Sequence, residues 1–173
     1  MEIIAKARGL QSICSGEEYE RMISGCLYTP LAPELIEGQS IYIEPPLFVD
    51  YGCNISIGEN FYANFHLTIL DCGLVTIGNN VEIGPNVSII TGEHHTMIAD
   101  RRANRGYEFT RPVVVEDDCW IGAGVIILAG VTIGSGCSIG AGSVVKANIP
   151  PFSIAVGVPA RVIRSTQQGS TVE

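Results

Sequence analysis

The side chains best suited to chemistry are concentrated in residues 92–112, GEHHTMIADRRANRGYEFTRP, which hold His94, His95, Arg101, Arg102, Arg105 and Arg111. An imidazole titrates near neutral pH, so it is suited to take a proton from a hydroxyl that is too weak an acid to react unaided. Guanidinium groups are either a solvated face or partners for phosphates. The histidine pattern argues against a metal. A tri-histidine zinc site needs separated ligands, but His94 and His95 are adjacent and only His66 remains of the three histidines. His66 reads as a face residue of a strand. None of the six cysteines forms a C-x-x-C pair, so no metal is expected.

The elements that must carry this loop are set by an internal repeat. From residue 113 the chain divides into VVVEDD, CWIGAG, VIILAG, VTIGSG, CSIGAG and SVVKAN, with period six. Every third position is aliphatic: Val115, Ile121, Ile127, Ile133, Ile139 and Val145. Each unit supplies one short strand and one turn. Three units close a triangular coil, and the third-position side chains point into its interior. Glycine or Asn takes the turn, where a Cβ is costly or φ is positive. Cys119 and Cys137 stand one coil apart and are expected to stack as buried apolar fillers. A sandwich of separate strands would not hold phase through six consecutive units.

A second block runs VTIGNN, VEIGPN, VSIITG from Val75, and ISIGEN starts at Ile55. Ile57 to Ile77 is a step of twenty residues rather than eighteen, so the register slips by two near Cys72-Gly73-Leu74. The phase stops after Ile89 and resumes at Val113, which leaves 92–112 as one long inserted loop. Loops of this length in compact domains are functional or disordered. The chain therefore divides into an N-terminal partly helical segment (1–46, with helical spacing over 17–26), a β-helix (47–147) and a C-terminal cap and tail (148–173), the last with Pro150-Pro151 ending the repeat.

With 46% hydrophobic and 16% charged residues the chain can bury a core. A net charge of −8 argues against nucleic acid and against an anionic membrane, both of which need a basic face. The N-terminus MEIIAKARGL has no apolar h-region and no apolar run is long enough to span a bilayer, so free thiols and a cytoplasmic location are expected.

Several longer segments carry a more specific signal: IEPPLFVDYGCNISIGENFYANF (43–65), ILDCGLVTIGNNVEIGPNV (69–87), the loop histidine with Arg101 seven residues on, DDCWIGAGVIILAGVTIGSGCSIGAGSVV (117–145) and IPPFSIAVGVPARVIR (149–164). In these the sequence resembles the sugar O-acetyltransferases of the maltose and galactoside type, within the hexapeptide-repeat acyltransferases. The resemblance implies a left-handed parallel β-helix, a homotrimer with active sites between subunits, and an acetyl-CoA-dependent O-acetyltransferase acting on a sugar or other small-molecule alcohol. By the same resemblance His94 is the general base, and Asn64 positions acceptor and base. Asp50, Asp71, Cys72, His95 and Glu108 fall to the acceptor. Trp120, Ala123, Ala141, Lys146, Arg161 and Arg164 fall to acetyl-CoA.

This chain departs from the family pattern in several places. His95 follows the catalytic histidine where Pro is usual. The N-terminal region is shorter, Pro30 stands where an acceptor-binding Asp is found, and Lys146-Ala147 replaces a Thr-Lys pair. Cys72 aligns with an acidic acceptor contact, which points to a less polar acceptor. Two rival readings are a γ-type carbonic anhydrase, disfavoured by the histidine spacing, and a non-catalytic hexapeptide scaffold or degenerate acetyltransferase.

Overall fold

A computed structural model describes residues 41–105 and 107–167. The expected helix over 17–26, Pro30 and the end of the tail lie outside the described residues.

The chain coils as a left-handed parallel β-helix whose three faces are three parallel sheets. The first coil takes β1 (Ile41–Ile43), β2 (Leu47–Val49) and β3 (Ile55–Ile57). The second takes β4 (Phe61–Ala63), β5 (Leu67–Leu70) and β6 (Val75–Ile77). The third takes β7 (Glu82–Ile83) and β8 (Ser88–Ile90), then leaves the helix. The excursion holds β9 (Gly92–Glu93), α1 (Ile98–Ala103) and β10 (Phe109–Thr110), and β11 (Val113–Val115) resumes the coil. Next come β12 (Trp120–Ile121), β13 (Ile126–Ile127) and β14 (Thr132–Ile133), then β15 (Ser138–Ile139) and β16 (Val144–Val145). β17 (Ser153–Val156) continues the first face in parallel, and β18 (Arg161–Ser165) turns back antiparallel to close it.

We name the faces by their strands: face A (β1, β4, β7, β12, β15, β17, β18), face B (β2, β5, β8, β13, β16) and face C (β3, β6, β11, β14). The parallel pairing thus begins at Ile41 and runs through Ala155, beyond both ends of the 47–147 span read from the hexapeptides, because IYI and SIAV pair without repeating the glycine pattern. The tail is tied through Thr166, whose hydroxyl donates to the Gly136 carbonyl at 2.9 Å.

The core follows from strand alternation. Third-position residues Val115, Ile121, Ile127, Ile133, Ile139 and Val145 are all buried, and so are the first-position residues Val113, Cys119, Val125, Val131, Cys137 and Ser143. Each short strand therefore turns two side chains inward and one outward. Cys119 and Cys137 are buried and stack across coils as expected, since Trp120 pairs with Ser138. Positive φ falls on the last residue of each turn: Asn60, Asn80, Asp118 and Gly136 between faces C and A, and His66, Asn86, Gly124 and Gly142 between faces A and B. His66 is therefore a corner residue (φ 61), stacked on the Phe48 ring at 6.3 Å, and not the strand-face residue its sequence neighbours imply.

The register explains the lost phase. Ile41 pairs with Phe61, Leu47 with Leu67 and Ile55 with Val75, a step of 20 residues on every face. In the later coils Val114 pairs with Thr132 and Trp120 with Ser138, a step of 18. The two extra residues of each early coil sit at the corner between faces B and C, at 50–54 and again at 70–74. Residues 91–112 leave the helix at that same corner one coil later. Three successive coils are thus expanded along one edge of the prism.

Candidate active site

The expanded edge between faces B and C gathers Asp50, Asp71, Cys72, His94 and Glu108. Asp71 is fully buried, and its Oδ1 accepts the backbone N–H of Asp50 at 3.2 Å and of Tyr51 at 2.9 Å. Its Oδ2 accepts the N–H of Asn54 at 3.2 Å, and the Asn54 amide donates to the Asp71 carbonyl at 2.7 Å. The carboxylate anchors the 50–54 turn and offers no solvent-facing oxygen. The acceptor contact that the family resemblance implies for Asp71 would need an oxygen that here is bonded to the backbone of Asp50, Tyr51 and Asn54.

Asp50 points outward. The Cys72 thiol donates to its Oδ2 at 3.1 Å. That hydrogen bond, with partial burial second, pushes the thiol up to about 11, so Cys72 is a neutral donor rather than a nucleophile. Gly92 lies between this pair and the loop. A Cβ there would stand 3.4 Å from the Cys72 sulfur and 3.5 Å from Glu108 Oε2.

In the loop, His94 Nε2 lies 3.2 Å from Glu108 Oε1, with both side chains at least half exposed. The contact sets one imidazole nitrogen against the carboxylate and leaves Nδ1 for another partner. Glu108 is thus placed as the partner of His94. The His95 ring instead packs on Phe109, 5.2 Å between centroids. Two of the loop arginines are committed: Arg101 Nη1 donates to the carbonyls of His95 (3.2 Å) and Thr96 (2.8 Å), and Arg111 forks onto Glu93.

The remaining candidates stand elsewhere. Asn64 is on the edge between faces A and B, where its Oδ1 accepts the Phe65 N–H at 2.7 Å and its backbone N–H donates to the Ile83 carbonyl at 2.8 Å. Ala123 and Ala141 occupy the same edge in later coils, both exposed. The coils are tightly seated there. A Cβ at Gly84 or Gly122 would meet the backbone N of Ala123 or Ala141 at 2.7 Å, whereas Gly124 and Gly142 have nothing within 4 Å. Trp120 lies on the outward side of face A, 51% exposed. Arg161 and Arg164 lie on β18 at the end of face A, opposite Val156 and Ile154. Lys146 follows β16 and is exposed on the B–C edge, four coils' worth of chain away from Asp50.

The chain thus sorts most of its candidates onto two edges of one prism, with Trp120, Arg161 and Arg164 on face A. The B–C edge carries His94, Glu108, Asp50, Cys72 and Lys146. The A–B edge carries Asn64, Ala123 and Ala141, with face B between them. Among the described residues no group of three or more His, Cys, Asp and Glu could hold a metal ion. Sequence reasoning assigned no role to Glu93, Thr91 or Gly130, which hold the loop base. Thr91 and Glu93 were signalled only by their place at the start of the loop, and Gly130 only by its place in the turn of VIILAG.

Comparison with known proteins places the chain. Residues 112–147 match the family described as bacterial transferase hexapeptide (six repeats). The chain is 50% identical over 130 residues to the galactoside O-acetyltransferase of Escherichia coli (strain K12), covering 73% of this chain and 62% of that protein. It is 32% identical over 200 residues to the sophorolipid acetyltransferase of Starmerella bombicola, covering 91% of this chain and 76% of that one. A galactoside acetyltransferase solved in complex with coenzyme A superimposes with a TM-score of 0.72 at 36% identity, covering 87% of this chain and 92% of that chain. The chain spans 62% of the length of the Escherichia coli relative and equally of one from Schizosaccharomyces pombe.

Proposed function

The chain belongs to the hexapeptide-repeat acetyltransferases of the galactoside and maltose type, and on that premise we propose that it moves an acetyl group from acetyl-CoA to a hydroxyl of a small-molecule acceptor. The observation that carries this reading is the His94–Glu108 contact of 3.2 Å on the expanded edge, beside Asp50. Glu108 fixes one imidazole nitrogen, and the other takes the acceptor's proton as the C–O bond forms. The hydroxyl oxygen attacks the thioester carbonyl. The C–S bond then breaks, and protonated His94 returns its proton to the departing thiolate. Such a base contributes about 10²–10⁴-fold.

The residues at the other edge fit the co-substrate. Open corners at Gly124 and Gly142 let a chain-like ligand run along the coils beside Ala123 and Ala141. Trp120 offers an exposed aromatic face. Arg161 and Arg164 bring cations for phosphates at the end of face A. Within one chain, Asn64 and His94 sit on different edges. A homotrimer that seats the A–B edge of one copy against the B–C edge of the next would unite Asn64, the open corners and His94 in one cleft.

The acceptor is read as less polar than a simple sugar. Cys72 supplies a thiol donor to Asp50, which leaves a single solvent-facing carboxylate among Asp50, Asp71 and Cys72 for hydroxyls. Exposed Tyr51 flanks it. A relative that is a sophorolipid acetyltransferase favours the same class, a glycolipid or apolar glycoside alcohol.

Thiol release from acetyl-CoA, measured with a panel of sugars, glycolipids and apolar alcohols for wild type and His94→Ala, tests the proposal. Turnover lost in the variant supports it. Absence of both turnover and coenzyme A binding in the wild type would favour a non-catalytic scaffold.

A further inference from the structure

The geometry points to Arg111 and Glu93 as positioning residues that lock the register of the His94–Glu108 pair, an inference that rests on the acetyl-transfer reading only for its kinetic arm. The loop closes through a very short ladder. Phe109 pairs with Glu93 and Thr110 with Gly92, antiparallel, and the Arg111 N–H donates to the Thr91 carbonyl at 3.0 Å. Carried one residue further, the same register sets Glu108 opposite His94, where the two side chains meet at 3.2 Å. A slip of one residue would bring Tyr107 or Phe109 opposite the imidazole and turn Glu108 to the other face. A two-residue ladder cannot resist such a slip by itself.

Two contacts resist it. On the side of the second coil, buried Thr91 donates its hydroxyl to the Leu70 carbonyl at 2.6 Å and accepts the Gly73 N–H at 2.8 Å. On the side of the fourth coil, Arg111 Nε and Nη2 fork onto the Glu93 carboxylate at 2.7 and 2.6 Å. The fork is a diagonal cross-strand pair, because Arg111 stands opposite Thr91 and Glu93 opposite Phe109. Strand alternation places Glu93 and Arg111 on one side of the hairpin and His94 and Glu108 on the other, so the fork fixes the register without competing for the catalytic carboxylate.

Gly130 makes the arrangement possible. It holds φ +79 at the corner below, and a Cβ there would stand 3.2 Å from Arg111 Cδ, Nε and Nη1. The guanidinium stem rests on that bare corner, which ties the hairpin to the rigid helix. Arg111 is thus spoken for by the loop base and does not serve as a phosphate ligand.

Hydrogen exchange of the full chain reads the clamp without reference to turnover. Arg111→Gln and Glu93→Gln are each expected to speed exchange across 91–95 and 107–111 by up to about fivefold, the range of a part-exposed bidentate pair. The double variant should add little to either single one, since both remove the same contact. Arg111→Lys, which keeps the charge and loses the fork, should fall between. In parallel, kcat should fall by about tenfold with the KM for acetyl-CoA unchanged, the signature of a displaced base.

Exchange unaltered in Arg111→Gln, or additive effects in the double variant, would overturn the inference. Loosened exchange with kcat intact would likewise refute the positioning role. If wild type released no thiol with any acceptor while the exchange pattern held, the clamp would stand and the acetyl-transfer reading would fall.

Discussion

Asp71→Asn isolates a buried anion that is satisfied by backbone dipoles. The substitution is nearly isosteric, and the carbonyl oxygen of Asn can replace Oδ1, which accepts from Asp50 and Tyr51. The NH₂ group then replaces Oδ2 and faces the Asn54 N–H, donor against donor, where a 3.2 Å hydrogen bond stood. Flipping the amide only moves the conflict to the other two donors. Losing a hydrogen bond to a charged group costs about 1.5–3 kcal/mol, and leaving a buried donor unmet adds about 1–3 kcal/mol. Asn also removes the desolvation cost of the buried charge, so a net loss of about 2–4 kcal/mol is expected. For a chain of this size each kcal/mol moves the melting temperature by about 2–4 °C, which predicts a fall of about 5–15 °C by circular dichroism. Asp50→Asn, changing an exposed residue, should stay within about 0.5 kcal/mol of wild type. Because Asp71 holds the turn that carries Asp50, the KM for acceptor should rise in Asp71→Asn while that for acetyl-CoA stays. A melting temperature within about 2 °C of wild type would refute the assignment of Asp71 as a turn anchor.

Glu108→Gln should lower kcat by about tenfold or more with coenzyme A binding unchanged, read by thiol release and calorimetry, because the amide no longer favours the protonated imidazole. Iodoacetamide at pH 8, followed by peptide mapping, should label exposed Cys53 well before Cys72, whose thiol is held up to about 11 by Asp50. Cys119 is also pushed up to about 11, chiefly by burial, from an ordinary 9.0. The folded state therefore keeps protons that the unfolded chain releases, so stability is full below about 9 and falls as pH rises toward 11, a slope that Cys119→Val should flatten in urea titrations. Gly122→Ala drives a Cβ into the Ala141 backbone at 2.7 Å and should cost about 1–3 kcal/mol in the same titrations. Gly124→Asn should be nearly neutral, since its corner is open and Asn86 holds the equivalent φ one coil earlier.

Much of the fold was legible because its signals are short-ranged. Period-two burial and a residue able to take positive φ repeat within each hexapeptide, so Ile121, Ile127 and Ile133 announce the interior and Gly136 and Gly142 the corners. The slip near Cys72-Gly73-Leu74 was readable from Ile57 and Ile77. Its counterpart at 50–54 was not, because IYIEPPLFVDYGCN lacks the hexapeptide glycine and shows its register only by pairing with the next coil. The loop histidine was legible from its interruption of the phase and from the family resemblance. Its carboxylate partner was not recognised as such: Glu108 lies fourteen residues away, and only a closed hairpin brings the two together.

The sequence by itself determined a β-helix, its core positions, the inserted loop and the family, since each depends on residue type at a local spacing. The tertiary structure alone decided which carboxylate faces His94, that Asp71 is consumed by backbone, that Arg111 clamps Glu93 over Gly130, and that Asn64 and His94 stand on different edges of the prism. Those outcomes depend on the stacking of corners twenty or more residues apart and on one antiparallel register, and no local periodicity encodes either.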